Sequence, residues 1–362
     1  MKHPFVHAVA GSAVLAGAIA AAVAAPQQAA SNPLRVAMYA AANGSVEVMV
    51  TNTGNKTARV PKWQLPSSML EAKLFSVSLD GHPVAYQGPM IKRGLPGPAD
   101  FAILRPGQSY RTVVDLAASY DMGKRGQYNV TLASPLQFAS LSDGRMLKTS
   151  RGLPMVLQSP TLRLWNDGAA AKGAPDRGMQ KGKPGGGGTV VNGVTFKGCS
   201  ATQISGAGDA VVQARSYSEN AKGYLAAGTV GPRYTTWFGA YTSARYSTAS
   251  QHFVAIDSAM DQSGGQVTIN CGCNQNYYAY VYPTRPYEIF VCKAFWSAPL
   301  AGTDSKGGTL IHEMSHFNVT AATDDHVYGQ SGAKSLAISD PAAALDNADN
   351  HEYFAENKPA QN

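Results

Sequence analysis

Residues 165–189 cannot contribute to any folded core, and that divides the chain. Asn166-Asp167-Gly168, a run of alanines, Lys172, Lys181 and Lys183, and Pro184 followed by four glycines offer almost no apolar side chain to bury. Ordering such a stretch costs conformational entropy that no packing returns. The 362 residues are therefore expected to form a domain on either side of a basic linker open to proteolysis, which makes 165–189 a natural activation region. At 44% hydrophobic and 15% charged, the composition is that of a globular protein with real cores.

Ahead of the first domain, Lys2 and His3 precede an apolar, Ala-rich run that ends in Ala22-Val23-Ala24, a small-x-small pattern, with Pro26 and polar residues after it. Residues 1–25 read as a signal peptide, so the product is expected to be secreted. Nothing later is long and apolar enough to span a bilayer, so no stable membrane insertion is expected after signal cleavage. Residues 26–164 read as β. Val46, Val48 and Val50 alternate with polar residues, further short runs follow, and Asp80-Gly81, Pro106-Gly107 and Gly126 punctuate them. Short strands at this spacing predict an immunoglobulin-like β-sandwich, with His82 a lone surface histidine. The net charge of +7 comes without a dense Lys/Arg block among aromatics, so no nucleic-acid partner is expected.

Residues 190–362 hold all four cysteines, Cys199, Cys271, Cys273 and Cys292. An even number in an exported chain predicts two disulfides, and Cys271 and Cys273 are too close to bond each other. Spacing leaves two pairings open: 199–271 with 273–292, or 199–273 with 271–292. Helices are predicted over about 205–225, 235–255, 307–317 and 331–354, with β-prone segments near 267–269, 278–282 and 289–291. The fold class is α+β, dominated by helices.

His312-Glu313-Met314-Ser315-His316 is an HExxH motif. On a helix, positions i and i+4 share a face, so both imidazoles can reach one divalent ion while Glu313 stands beside them as a proton acceptor. A third ligand is needed. The metzincin continuation is excluded because Val319 and Ala322 stand where Gly and His belong. A later glutamate (Glu352 or Glu356) is one option. Another is a loop carboxylate nine residues past His316, where Asp325 competes with its neighbours Asp324 and His326.

HExxH followed by Thr323-Asp324-Asp325-His326-Val327-Tyr328-Gly329 resembles the deuterolysin-like aspzincins, as does Pro232-Arg233-Tyr234-Thr235-Thr236-Trp237-Phe238-Gly239. Ala322 departs from that pattern, which has Gly there. The resemblance implies a zincin-type zinc metalloprotease over residues 190–362, with one Zn2+ held by His312, His316 and Asp325. It further implies Glu313 as general base, Tyr328 as oxyanion donor, and the disulfides 199–271 and 273–292.

Asp349 and Glu352 lie at i and i+3 on the last predicted helix, a spacing that serves a solvated face or an acidic pocket equally well. Asn347-Ala348-Asp349-Asn350-His351-Glu352-Tyr353-Phe354 is similar to the segment of peptidyl-Lys metalloendopeptidases in which the matching pair binds a lysine ammonium. The expected activity is endoproteolysis at Xaa-Lys bonds of protein or peptide substrates. The β-sandwich then becomes a pro-domain, an intramolecular inhibitor or chaperone. The competing readings are a broader deuterolysin-like protease and a binding protein whose sandwich is the working domain.

Overall fold

The computed structural model describes residues 32–168 and 188–362. The expected signal peptide, and most of the linker with Lys172, Lys181 and Lys183, lie outside the described residues.

Strict alternation builds the N-terminal region. Val46, Val48 and Val50 are fully buried on the strand Val46–Asn52, which pairs antiparallel with Leu34–Ala40 on one side and Ser109–Val114 on the other. Ala58–Pro61 is the centre of a second sheet, between Phe101–Leu104 and Ser140–Leu141. The ten-residue strand Gly126–Pro135 alternates buried and half-buried positions throughout and anchors a third sheet beside Phe75–Leu79. The predicted Asp80-Gly81 turn closes a two-residue hairpin with both residues at positive φ, 49° and 87°. The region is β-rich as predicted, with its strands spread over three sheets of its own.

The C-terminal region packs eight helices against one mixed sheet. They are α1 (Ala201–Ala226), α2 (Pro232–Phe238), α3 (Ser243–Met260), α4 (Lys293–Ser297), α5 (Lys306–Ser315), α6 (Gly329–Ser339), α7 (Pro341–Leu345) and α8 (Ala348–Glu356). Two expected helices are broken. The 235–255 stretch divides between α2 and α3 because Gly239 takes φ 75° to pass close to the backbone of Ala337. The 331–354 stretch becomes α6, α7 and α8. Asp340 caps α7 ahead of Pro341, and Asn347, in an extended conformation, opens α8.

The sheet runs in the order Thr189–Val191, Val194–Lys197, Thr268–Asn270, Glu288–Val291, Ala279–Val281, Met90–Lys92. Its last strand comes from the N-terminal region, so the expected division at residues 165–189 is crossed by a strand pairing. Disulfides join Cys199 to Cys271 and Cys273 to Cys292, the pairing that the resemblance implied. The HExxH helix, α5, lies at the centre between α1 and α8. Its approach to α8 depends on Gly308, where a Cβ would meet the Glu356 carboxylate at 2.0 Å.

Candidate metal centre

Every residue of α5 from Gly307 to Ser315 is buried, and Ser305 caps it by accepting from the Gly308 amide at 2.9 Å. Burial turns both imidazoles inward. His316 Nδ1 donates to the Thr323 carbonyl at 2.8 Å, which leaves the Nε2 lone pair free. His312 Nδ1 faces Asp349 Oδ1 at 2.9 Å and Glu352 Oε2 at 3.3 Å, which directs its Nε2 to the other side. Both Nε2 atoms converge on Asp325 Oδ1, at 3.3 Å from His312 and 3.5 Å from His316.

These atoms are buried without hydrogen-bond partners: His312 Nε2, His316 Nε2, Asp325 Oδ1 and both carboxylate oxygens of Glu313. Polar atoms buried in this way cost stability unless something unites them, and two imidazoles with a carboxylate are the donor set a zinc ion takes. The arrangement fits a divalent cation. Burial, with the charges of Asp325 and Glu352 adding to it, pushes Glu313 up to about 8 against the opposing pull of His312 and Lys92, so once ionised it is a strong proton acceptor.

Asp325 reaches the rings because the chain doubles back after His316. The Thr323 amide donates to the Ser315 carbonyl at 3.1 Å, and the two hydroxyls bond at 2.7 Å. Ala322 turns the corner at φ 52°, left-handed geometry that explains why glycine suits this position. Asn347 then clamps the loop, accepting from the His326 and Val327 amides and donating to the Val327 carbonyl. The competing ligands turn away: Asp324 pairs with Lys73 at 2.5 Å and His326 with Asp346 at 2.8 Å. Glu356 is also engaged elsewhere, accepting from the amide and hydroxyl of Ser305.

Next to this cluster lies an occupied acidic pocket. Lys92, 1% exposed, places its ammonium 2.5 Å from Glu352 Oε2, 3.4 Å from Asp304 Oδ1 and 3.6 Å from Asp349 Oδ1. The rings of Tyr278 and Tyr353 wall it at 5.3 and 6.0 Å, and Tyr353 also donates to Asp304 at 2.7 Å. Burial alone would lower Lys92; the carboxylates overcome it and hold the ammonium charged. Asp349 is held low against burial by Lys92 and His312, whereas burial wins at Glu352 and raises it. Tyr328 completes the group, donating from its hydroxyl to the Ile91 carbonyl at 3.1 Å. Its backbone amide and carbonyl are both bound by the side chain of Gln137.

His312, Glu313, His316, Asp325, Tyr328, Asp349 and Glu352 thus meet in one place. Sequence reasoning missed Asp304, Asn347, Gln137 and Lys92. None carries a local signal; Asn347 falls inside the stretch predicted as one helix, and its clamp is visible only once that helix breaks.

A family of lysine-specific metallo-endopeptidases, the aspzincins, matches residues 224–356. An extracellular protease of Aeromonas hydrophila is 43% identical over 88% of this chain and 89% of its own length. A peptidyl-Lys metalloendopeptidase of Grifola frondosa is 35% identical over the same shares. A second peptidyl-Lys metalloendopeptidase, from Pleurotus ostreatus, is 53% identical over 98% of its length but 46% of this chain.

α8, which carries Asp349 and Glu352, is fastened by a histidine pair, His351 buried and His252 half-buried. His351 Nδ1 donates to the Asn347 carbonyl at 3.0 Å, so its Nε2 accepts from His252 Nδ1 at 2.9 Å. Burial, with His252 beside it, pushes His351 down to about 3. A depressed histidine stabilises the fold above its ordinary pKa near 6.5, and that contribution is lost as pH falls from there toward 3. Unfolding measured across this window should show a loss on the order of a few kcal/mol. His351→Gln, which cannot titrate, should reduce that loss; an unchanged pH profile would show that His351 does not couple protons to folding.

Proposed function

Because the chain belongs to the aspzincin family and is a zinc metalloendopeptidase, we propose that it cuts peptide bonds on the amino side of lysine. In this reading His312, His316 and Asp325 hold one zinc, Glu313 is the general base, Tyr328 the oxyanion donor, and Asp349 with Glu352 the lysine pocket. The carrying observation is Lys92, a buried lysine ammonium among Glu352, Asp349 and Asp304 next to the converging imidazoles. A compact ammonium suits carboxylates approaching from several directions, whereas a guanidinium needs a planar fork with room around it.

Zinc, when bound, supplies the Lewis acid that polarises the scissile carbonyl and lets water give up a proton near neutral pH. Glu313 takes that proton on its buried carboxylate and delivers it to the departing amine. The Tyr328 hydroxyl donates to the carbonyl oxygen as negative charge develops there. The carboxylate pocket fixes the lysine side chain and with it the bond to be cut.

The chain is read as a secreted precursor: signal peptide 1–25, sandwich-like pro-domain 26–164, activation linker 165–189, protease domain 190–362. The Pleurotus relative supports this division, since nearly its whole length corresponds to under half of this chain. The pro-domain is read as inhibitory because its own Lys92 fills the pocket that a substrate lysine needs.

Digestion of a denatured protein by the activated enzyme should give fragments whose new N-termini are lysine; termini without lysine enrichment would refute the specificity. Glu352→Gln should lower kcat/KM for lysine peptides by about 100-fold, the scale of losing one partner of a buried charge pair. Glu313→Gln should keep its zinc by elemental analysis while kcat falls by roughly 10²–10⁴. Asp325→Ala should lose the zinc itself.

Lys92→Ala should also unblock the precursor. In a Glu313→Gln background, where the chain stays whole, calorimetry should detect a short lysine peptide binding the Lys92→Ala protein and not its Lys92 parent. Equal binding by both would remove the inhibitory role.

A further inference from the structure

The strand Met90–Lys92 does more than fill a pocket. We infer that the Ile91–Lys92 bond is itself a cleavage site, hydrolysed within the folded precursor by the protease domain of the same chain, and that the cut strand stays seated. This deepens the lysine-specific reading and rests on it.

The geometry grips the bond on both sides. On its C-terminal side the Lys92 ammonium lies among Glu352, Asp304 and Asp349. On its N-terminal side the Ile91 carbonyl accepts from the Tyr328 hydroxyl at 3.1 Å. A lysine that merely plugged the pocket would satisfy the first contact alone. A strand running the other way could not satisfy both, because the carbonyl meeting Tyr328 would then follow the pocket residue instead of preceding it. The observed polarity is therefore that of a substrate.

The strand is held in that register by its neighbours. Lys92 lies opposite Ala279 and Ile91 opposite Tyr280 in an antiparallel ladder, and the Tyr278 amide donates to the Lys92 carbonyl at 3.0 Å. Arg93 extends the grip beyond the bond. Its guanidinium stands between the Trp63 and Tyr277 rings, at 5.0 and 4.4 Å, and bonds Glu71 at 2.7 Å. Met90, on the other flank, is 2% exposed. Hydrolysis adds one water: the Ile91 carbon to Lys92 nitrogen bond breaks, the water oxygen completes an Ile91 carboxylate, and Glu313 carries the water's proton to the Lys92 nitrogen, which leaves as an α-amine. No redox partner is needed. Both new ends keep their ladder and side-chain contacts, so the nicked pro-domain stays in place.

The buried position also fixes who can cut. Ile91 and Lys92 are each 1% exposed, so a second enzyme molecule cannot reach the bond in the folded precursor. The reaction must be unimolecular, with the high effective concentration of a tethered, oriented substrate.

The test uses the zinc-depleted full-length precursor with Lys172, Lys181 and Lys183 changed to arginine, to which zinc is added. Fragments are followed by mass spectrometry after denaturation. We expect a cut between residues 91 and 92 with one rate constant, unchanged over a 100-fold dilution, and with both fragments co-eluting in size exclusion before denaturation. Glu313→Gln should abolish the cut, and Lys92→Met, which keeps the apolar stem, should slow it at least 100-fold. An intact Ile91–Lys92 bond, a rate proportional to protein concentration, or a first cut at Lys62 or Lys73 would each overturn the proposal. If the wild-type activated enzyme cuts lysine peptides while this bond stays whole, the inference fails and the lysine-specific reading stands. If it shows no lysine preference, both fall.

Discussion

Buried negative charge at the junction of α5 and α8 governs this structure. The carboxylates of Glu313, Asp325, Asp349, Glu352 and Glu356 are almost wholly removed from solvent. Each would otherwise protonate or draw in water, because an unpaired buried carboxylate is costly. The chain compensates them in three ways. Ser305 hydrogen-bonds one oxygen of Glu356, Lys92 brings a cation to Asp349 and Glu352, and two imidazoles with Asp325 form a donor set suited to a divalent ion. His312 links the last two, presenting one ring nitrogen to the pocket and the other to Asp325. Pocket and metal centre thus share a side chain, and a shift in either would move the other.

Backbone hydrogen bonding holds that arrangement in place. The loop between His316 and α6 makes only an isolated bridge, Asp324 to Asn347, and scattered backbone bonds, so side chains add the remaining ties. Thr323 ties it to the C-terminal turn of α5, Asn347 to the start of α8, and Gln137 binds both backbone groups of Tyr328 from the N-terminal region. Gly329 donates its amide to Asp349, so the loop bearing the third candidate ligand is fastened to the lysine pocket itself. Fixing ligands through surrounding hydrogen bonds is how metal sites set both tautomer and geometry.

Much of this could be read from residues alone, because the informative signals were local. The i, i+4 histidines, Asp325 within one loop length, and Asp349 with Glu352 at i, i+3 each need only a helix and a turn. Alternation likewise revealed Val46, Val48 and Val50. What escaped was decided by distant pairing. Met90-Ile91-Lys92 lies between Gly88-Pro89 and Arg93-Gly94, too short for any periodicity, and becomes a strand only because Ala279–Val281 offers a free edge. Asp304 looks like a loop residue until α8 brings Tyr353 and Glu352 to it. The 331–354 stretch reads as one helix because its apolar spacing continues through Pro341, and the Asp340 cap with the extended backbone at Asn347 overrides that spacing.

The same electrostatics links the pocket to the chain's own stability. The carboxylates that surround the Lys92 ammonium bring their charge to the pocket while the chain folds, before any substrate is present. Folding around it without a cation would bury Asp349 and Glu352 uncompensated, a penalty of several kcal/mol by ordinary desolvation. Lys92, delivered by the N-terminal region, removes that penalty on a strand that also covers the edge of the sheet. Residue 92 and the pocket are therefore one design problem. An aspzincin with a neutral pocket would have no charge to neutralise there, and a lysine at the same place in its N-terminal region would itself become the unpaired buried group.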